Sequence, residues 1–259
     1  IDPFHLDAYG VTTVNYNRDV EAYPVLVAIF ETILGFCPYK SPTDMGVNMV
    51  GNCIIDDEAC REASRQEIIR RYYQALAGVA QGNREQEEVS KIQLLMRQEE
   101  ITANRRPTVT PALVRAERTG APAVAIELAD GTVVTGKTGD LLGASSAALL
   151  NALKVLAGIS HEAKILSPEA IAPIQTLKTK YLGSRNPRLH TDEVLIALSI
   201  SAATDKNAEL ALEQIPNLRG CQAHTSVMLS EVDIRQARIL GVELTCEPQY
   251  EKHKDYYIK

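Results

Sequence analysis

The chain has 259 residues, 45% of them hydrophobic and 23% charged, with a formal net charge of -6 and a pI near 5.5. That length supports one large core or two modest ones, and the acidic balance argues against a general nucleic-acid binder, which needs a basic surface to neutralise phosphates. No apolar run approaches the roughly 18 residues of a membrane span, and the amino terminus lacks the basic-then-apolar pattern of a secretory signal, so a cytoplasmic protein with no membrane partner is expected.

The apolar spacing of Val20, Val27, Phe30 and Leu34 predicts a helix over Arg18–Leu34, with Gly35 as its stop. Phe36–Ile55 follows neither the helix nor the strand period, and a long irregular segment inside a compact domain usually carries function. Asp56 can cap a helix running to Ala80, with Ile68, Tyr72, Leu76 and Val79 on one stripe. After the Gly82-Asn83 break, Val89, Ile92 and Met96 mark a second helix over Arg84–Gln98, completing a helical hairpin.

Thr110-Pro111 reads as the cap and first position of a short helix that ends before Gly120. A hairpin follows: Ala123–Leu128 alternates, Asp130-Gly131 turns, and Val133-Val134 resumes extended chain. The next helix, Ala144–Ala157, is apolar almost all round, which implies burial on more than one side. Ser167-Pro168-Glu169 and Thr191-Asp192-Glu193 start two more helices, and Asp205 or Lys206 begins another turn. A strand over Cys221–Leu229, a helix over Ser230–Leu240 with Asp233 at the capping-box position, and a strand over Val242–Cys246 complete the pattern. The domains expected are an amino-terminal helix and loop (1–55), a helical hairpin subdomain (56–108), an α/β subdomain (109–248) and a polar tail (249–259).

Two blocks, AVAIELADGTVVTGKTGDLLGASSAALL and the strand–helix–strand of Gln222–Glu247, together resemble the cytidine-deaminase-like fold. The resemblance implies a three-layer αβα subdomain with a helical insert, in which two helix starts face one catalytic pocket. Where zinc deaminases place His-x-Glu and Pro-Cys-x-x-Cys, this chain has Gly143-Ala144-Ser145-Ser146 and Ser230-Glu231-Val232-Asp233, so no metal is expected. The runs SPTDMGVNMVGNCIIDDEAC, TGKTGDLLGASSAALLNALK and NPRLHTDEVLIALSISAAT resemble the bacterial family of domain of unknown function 1846, also called uncharacterised protein family 0371. That resemblance implies a carboxy-terminal half whose amino-terminal half is missing and acts as its partner. The start at Ile1, with no initiator methionine, likewise suggests a fragment.

The helix starts near Ala144 and Glu231 carry unpaired N–H groups and a partial positive charge, which favour a phosphate or carboxylate. Ser145 and Ser146 add hydroxyls, and Lys137 sits on the strand end leading into the first helix. By this reading Lys137, His190 and His224 are the candidate catalytic residues, and Ser145, Ser146, Asp192 and Glu231 candidate ligand contacts. Asp44, Asn48 and Asn52, in the irregular segment, are further candidate ligand contacts. Each has a structural alternative: serines cap helices, a strand-end lysine points to water, Thr191 caps with Asp192 on the dipole and His190 as a hydrogen-bonded structural residue, Glu231 stabilises its own helix start, strand histidines are satisfied in cores, and Asn and Asp bond their own turns.

Five cysteines in no Cys-x-x-Cys spacing indicate neither a disulfide framework nor a zinc knuckle. No cofactor is named by the sequence. The function expected is a metal-free enzyme half that binds a small phosphorylated or nucleotide-like molecule. The alternative is a non-catalytic module that senses a nucleotide or forms a homo-oligomer through Tyr72, Tyr73 and Leu76 of the hairpin.

Overall fold

The computed structural model describes residues 16–40, 42, 45 and 57–251. The chain divides into two compact units, Ile1–Arg106 and Pro107–Lys259. The first contains helices α1 (Tyr16–Leu34), α2 (Asp57–Ala80) and α3 (Gln86–Gln98). Helices α2 and α3 pack as a hairpin around Ile68, Ile69, Tyr73, Val89 and Leu95, and Gly82, at φ 74°, takes the left-handed turn between them. Glu67 is buried in this unit because Arg70 and Arg71 both hold its carboxylate, at 2.6 Å from each Nε.

The second unit is mixed α/β, built as α4 (Val109–Thr119), β1 (Ala123–Glu127), β2 (Val133–Lys137), α5 (Ala144–Leu156), α6 (Pro168–Thr176), α7 (Thr191–Ser201), α8 (Lys206–Leu212), β3 (Gln222–Thr225), α9 (Glu231–Leu240) and β4 (Glu243–Cys246). The sheet order is β2-β1-β3-β4. Strand β1 is antiparallel to both neighbours, with Val124 opposite Gly136 and Thr225, while β3 and β4 run parallel. The hairpin turn forms as its residues dictate: Gly131 takes φ 82°, and the Asp130 side chain accepts from the Thr132 amide at 2.9 Å.

One face of the sheet carries Val124, Ile126, Val134 and Ala223, and packs with Ala148, Leu149 and Leu153 of α5 and Val194 and Leu198 of α7 into one core. Being enclosed by sheet and helices explains why α5 has no polar face. Helix α4 lies against β1, β2 and β3, and its buried Val109 and Ala112 stand outside that core, over the other face with Ala123 and Ala125.

Several element boundaries differ from those the sequence suggests. Helix α4 starts at Val109 after Thr108, so Pro111 occupies its third position, not its first. The helix begun at Pro168 changes at Leu177–Tyr181 into a π turn, where the Leu182 amide reaches back to the Leu177 carbonyl at 3.0 Å. Strand β3 ends at Thr225, whose hydroxyl bonds the Val227 carbonyl at 2.9 Å and turns the chain out of the ladder.

The tightest approach in the unit is α5 on β2. A Cβ at Gly136 would lie 2.1 Å from the Ala148 nitrogen and 2.6 Å from the Ala147 carbonyl carbon, both backbone atoms with no room to give. Gly136→Ala therefore destabilises the unit by about 3 kcal/mol, a fall in Tm of roughly 6–12 °C. Gly139→Ala, where nothing lies within 4 Å, leaves Tm within about 1 °C in the same melting experiment.

Candidate functional site

Three helix starts meet in the second unit. The chain from Arg188 to Thr191 passes between the start of α5 and the start of α9 and then opens α7. Its polar backbone is fully used. The Arg188 amide donates to Asn186 Oδ1 at 3.1 Å, and the Arg188 carbonyl accepts from Lys178 Nζ at 2.7 Å. Leu189 donates to the Leu141 carbonyl, and its own carbonyl accepts from the Gly143 amide at 3.2 Å and from Ser146 Oγ at 2.9 Å. His190 donates its amide to Glu193 Oε2 at 2.8 Å and accepts from the Val194 amide at its carbonyl.

Asp233, in the first turn of α9, faces this segment from the other side. Its Oδ1 accepts from the Thr191 amide at 3.0 Å and the Thr191 hydroxyl at 2.6 Å. Its Oδ2 accepts from Ser230 Oγ at 2.8 Å and lies 3.1 Å from His190 Nδ1. An ionised carboxylate only accepts, so the proton of the imidazole belongs on Nδ1 and the lone pair of the neutral ring on Nε2. Nε2 has no hydrogen-bond partner among the described residues, and the His190 side chain is 23% exposed.

Burial alone would raise the Asp233 carboxyl. Hydrogen bonds from the His190 ring and from the hydroxyl and amide of Thr191, joined by the His190 charge whenever that ring is protonated, outweigh it and hold the group below the ordinary carboxylate range.

The residues singled out from the sequence fall in different places. His190 stands in the cluster just described. Ser146 is buried beneath it on the Leu189 carbonyl, and Ser145 is half-buried in the same first turn of α5. Gly143 offers that turn no side-chain cap, and the amides of Ala144, Ser145 and Ser146 have no partner among the described residues. Asp192 is half-buried and accepts from the neighbouring Glu193 amide at 2.8 Å, whereas Glu231 is exposed at the start of α9.

Lys137 and His224 are not brought to this cluster. Lys137 is exposed at the end of β2 opposite Ala123, and His224 sits opposite Ala125, so both share the α4 face of the sheet. His224 is fully buried, with Nδ1 2.8 Å from Thr245 Oγ1 and Nε2 3.2 Å from Glu247 Oε1, a set that both ring nitrogens can satisfy within the core. Asp44, Asn48 and Asn52 lie outside the described residues. Among the described residues no three His, Cys, Asp or Glu side chains gather as a metal shell, and no helix is long and apolar enough to cross a membrane.

The acid that serves His190 is thus Asp233, and Thr191, Glu193 and Lys178 complete its surroundings. The Ser230-x-x-Asp233 spacing announced a cap, and Ser230 Oγ does accept from the Asp233 amide at 3.3 Å. That the same carboxylate also reaches some forty residues back along the chain has no local signature. A separate open groove of about 1340 Å³ lies within the first unit, lined by apolar Val25, Ile29 and Leu94 with Arg71, Arg84 and Lys91, and contains none of the sequence-selected residues.

Comparison with known proteins adds a family and corrects one expectation. Residues 104–256 match the family described as "Domain of unknown function DUF1846, C-terminal", and residues 1–100 match "Domain of unknown function DUF1846, N-terminal". The chain is 58% identical to the UPF0371 protein DIP2346 of Corynebacterium diphtheriae over 256 residues, covering 99% of this chain and 52% of that protein. It is 56% identical over 259 residues to a UPF0371 protein of Corynebacterium aurimucosum, covering 100% of this chain and 52% of the relative. A UPF0371 protein of Streptococcus thermophilus is 52% identical over 256 residues, covering 99% of this chain and 52% of its own length. The chain spans about half the length of these curated relatives. The expectation of a carboxy-terminal half with a missing amino-terminal half as partner is overturned, because residues 1–100 themselves match the amino-terminal family region, directly ahead of the carboxy-terminal match. The chain belongs to the DUF1846 family, whose named relatives are the UPF0371 proteins.

Proposed function

We propose that the α/β unit binds a small phosphorylated or nucleotide-like molecule and acts on it by general acid–base chemistry at His190 Nε2. The observation that carries this reading is the carboxylate of Asp233 on Nδ1, with the opposite ring nitrogen left without a partner among the described residues. A carboxylate in that position fixes the tautomer, orients the ring and stabilises the imidazolium that forms when Nε2 takes a proton. The uncapped first turn of α5, joined to Leu189 next door, supplies backbone N–H groups suited to an anion. Proton transfer by a positioned group of this kind contributes roughly 10²–10⁴ in rate.

The cytidine-deaminase-like topology belongs to the same proposal. Its support is the strand order β2-β1-β3-β4 with β3 and β4 parallel, and the placement of α5 after β2 and of α9 after β3. Lys137 and His224, on the α4 face, take no part in it. Self-association through Tyr72, Tyr73 and Leu76 has less support, since Tyr73 is buried within its own unit.

A thermal-shift series with nucleotides and phosphorylated metabolites tests the reading. A true ligand at about a hundredfold its Kd stabilises by ~2.7 kcal/mol, a rise of roughly 5–11 °C. With that ligand in hand, His190→Asn keeps binding within about tenfold and lowers turnover by roughly 10²–10⁴. Absence of any stabilising anion, or full turnover by the variant, overturns the proposal.

Asp233→Asn removes the charge that organises the cluster and costs about 3 kcal/mol at neutral pH. Because the folded carboxyl lies below its unfolded value, its stabilisation is complete above about pH 4, the unfolded range, and is lost as the pH falls through the folded pKa. Urea unfolding of the two proteins from neutral to acid pH therefore shows a stability gap that closes only on the acid side.

A further inference from the structure

We propose that Lys178 and Glu193 are positioning residues for His190, forming a partly buried charged brace that fixes the ring from behind its backbone. This rests on the reading of His190 as the working side chain, but its structural content can be measured without any ligand.

Lys178 comes from the π turn, Glu193 from the first turn of α7, and their Nζ–Oε2 separation is 2.7 Å with the lysine side chain 10% exposed. The same Nζ donates to the Arg188 carbonyl at 2.7 Å, and the same Oε2 accepts the His190 amide at 2.8 Å. One ion pair thus grips the backbone on both sides of Leu189. A pair shielded to this degree is a weak source of stability, because desolvating the charges offsets much of their attraction. What it supplies is geometry: the Arg188 carbonyl and His190 amide are held by charge-assisted bonds, which are shorter and stronger than neutral ones. The π turn fits this role, since such widenings of a helix recur at functional sites.

The brace acts at one remove. Neither the Lys178 nor the Glu193 side chain hydrogen-bonds the His190 ring, whose side-chain partners among the described residues are Asp233 and Ser230. Weakening the brace frees the His190 backbone, and the ring then samples positions in which Nδ1 no longer meets Asp233.

Histidine-selective nitrogen NMR on the whole chain at about pH 8, where an ordinary histidine is neutral, tests this with Lys178→Met, Glu193→Gln and the charge-keeping Lys178→Arg. His224, held by Thr245 and Glu247 on the other face of the sheet, is the internal control. The wild-type His190 ring is expected as a single Nδ1–H tautomer. In Lys178→Met and Glu193→Gln its signals move toward a mixture of both tautomers, its amide exchanges on the order of tenfold to a hundredfold faster, and His224 stays unchanged. Lys178→Arg restores most of the wild-type signature. Should Lys178→Met not fold, Glu193→Gln carries the comparison. Unchanged His190 signals, or equal changes at His190 and His224, overturn the brace. Failure of the ligand series leaves this result standing, and failure here leaves His190 open to catalysis without a brace.

Discussion

The carbonyl of Leu189 is the point at which the α/β unit closes. It receives the Gly143 amide and the Ser146 hydroxyl, so the first turn of α5 is fastened to a segment more than forty residues further along the chain. A buried carbonyl with two lone pairs filled leaves nothing unsatisfied, which is the condition for an irregular segment to run through the interior at all. With Leu142 bridged to Leu189 in the same place, the loop ahead of α5 and the loop ahead of α7 become one rigid floor. His190 is the next residue, and its position follows from that floor.

The electrostatics of the cluster follow from the same economy of partners. Asp233 can be both buried and ionised because each carboxylate oxygen meets two hydrogen-bonding groups. Its neighbours come from α7 and α9, so the charge that sets the ring also ties two helices together. On the proposed reading, precision at Nε2 is a by-product of satisfying a buried acid.

What the residues announced in advance was local. The hairpin was readable because Asp130-Gly131 sits between alternating runs, and α5 because a helix apolar almost all round has little surface to offer water. The early end of β3 was hidden, since Thr225 could equally have continued the ladder until its hydroxyl found Val227. The π turn was hidden too: Ser167 to Gly183 has one helical pattern, and nothing in it marks where an extra residue enters a turn. In the cluster, His190 stood out by chemistry and by its place before a helix. Its partner acid did not, because a Ser-x-x-Asp box explains Asp233 completely before any distant contact is considered. Lys178 carries no signal in sequence, being one of the two lysines in that Ser167 to Gly183 stretch.

The central place of β1 has a kinetic consequence. One edge of β1 is filled by its immediate neighbour across a tight turn, but the other is filled by β3, nearly a hundred residues later. Closing so long a span costs chain entropy before any ladder bond rewards it. The hairpin can therefore assemble within microseconds, while its second edge waits as an unpaired row of amides and carbonyls until Gln222–Thr225 arrives. During that interval the exposed strand is the place where a growing or refolding chain is most vulnerable to pairing with a neighbour.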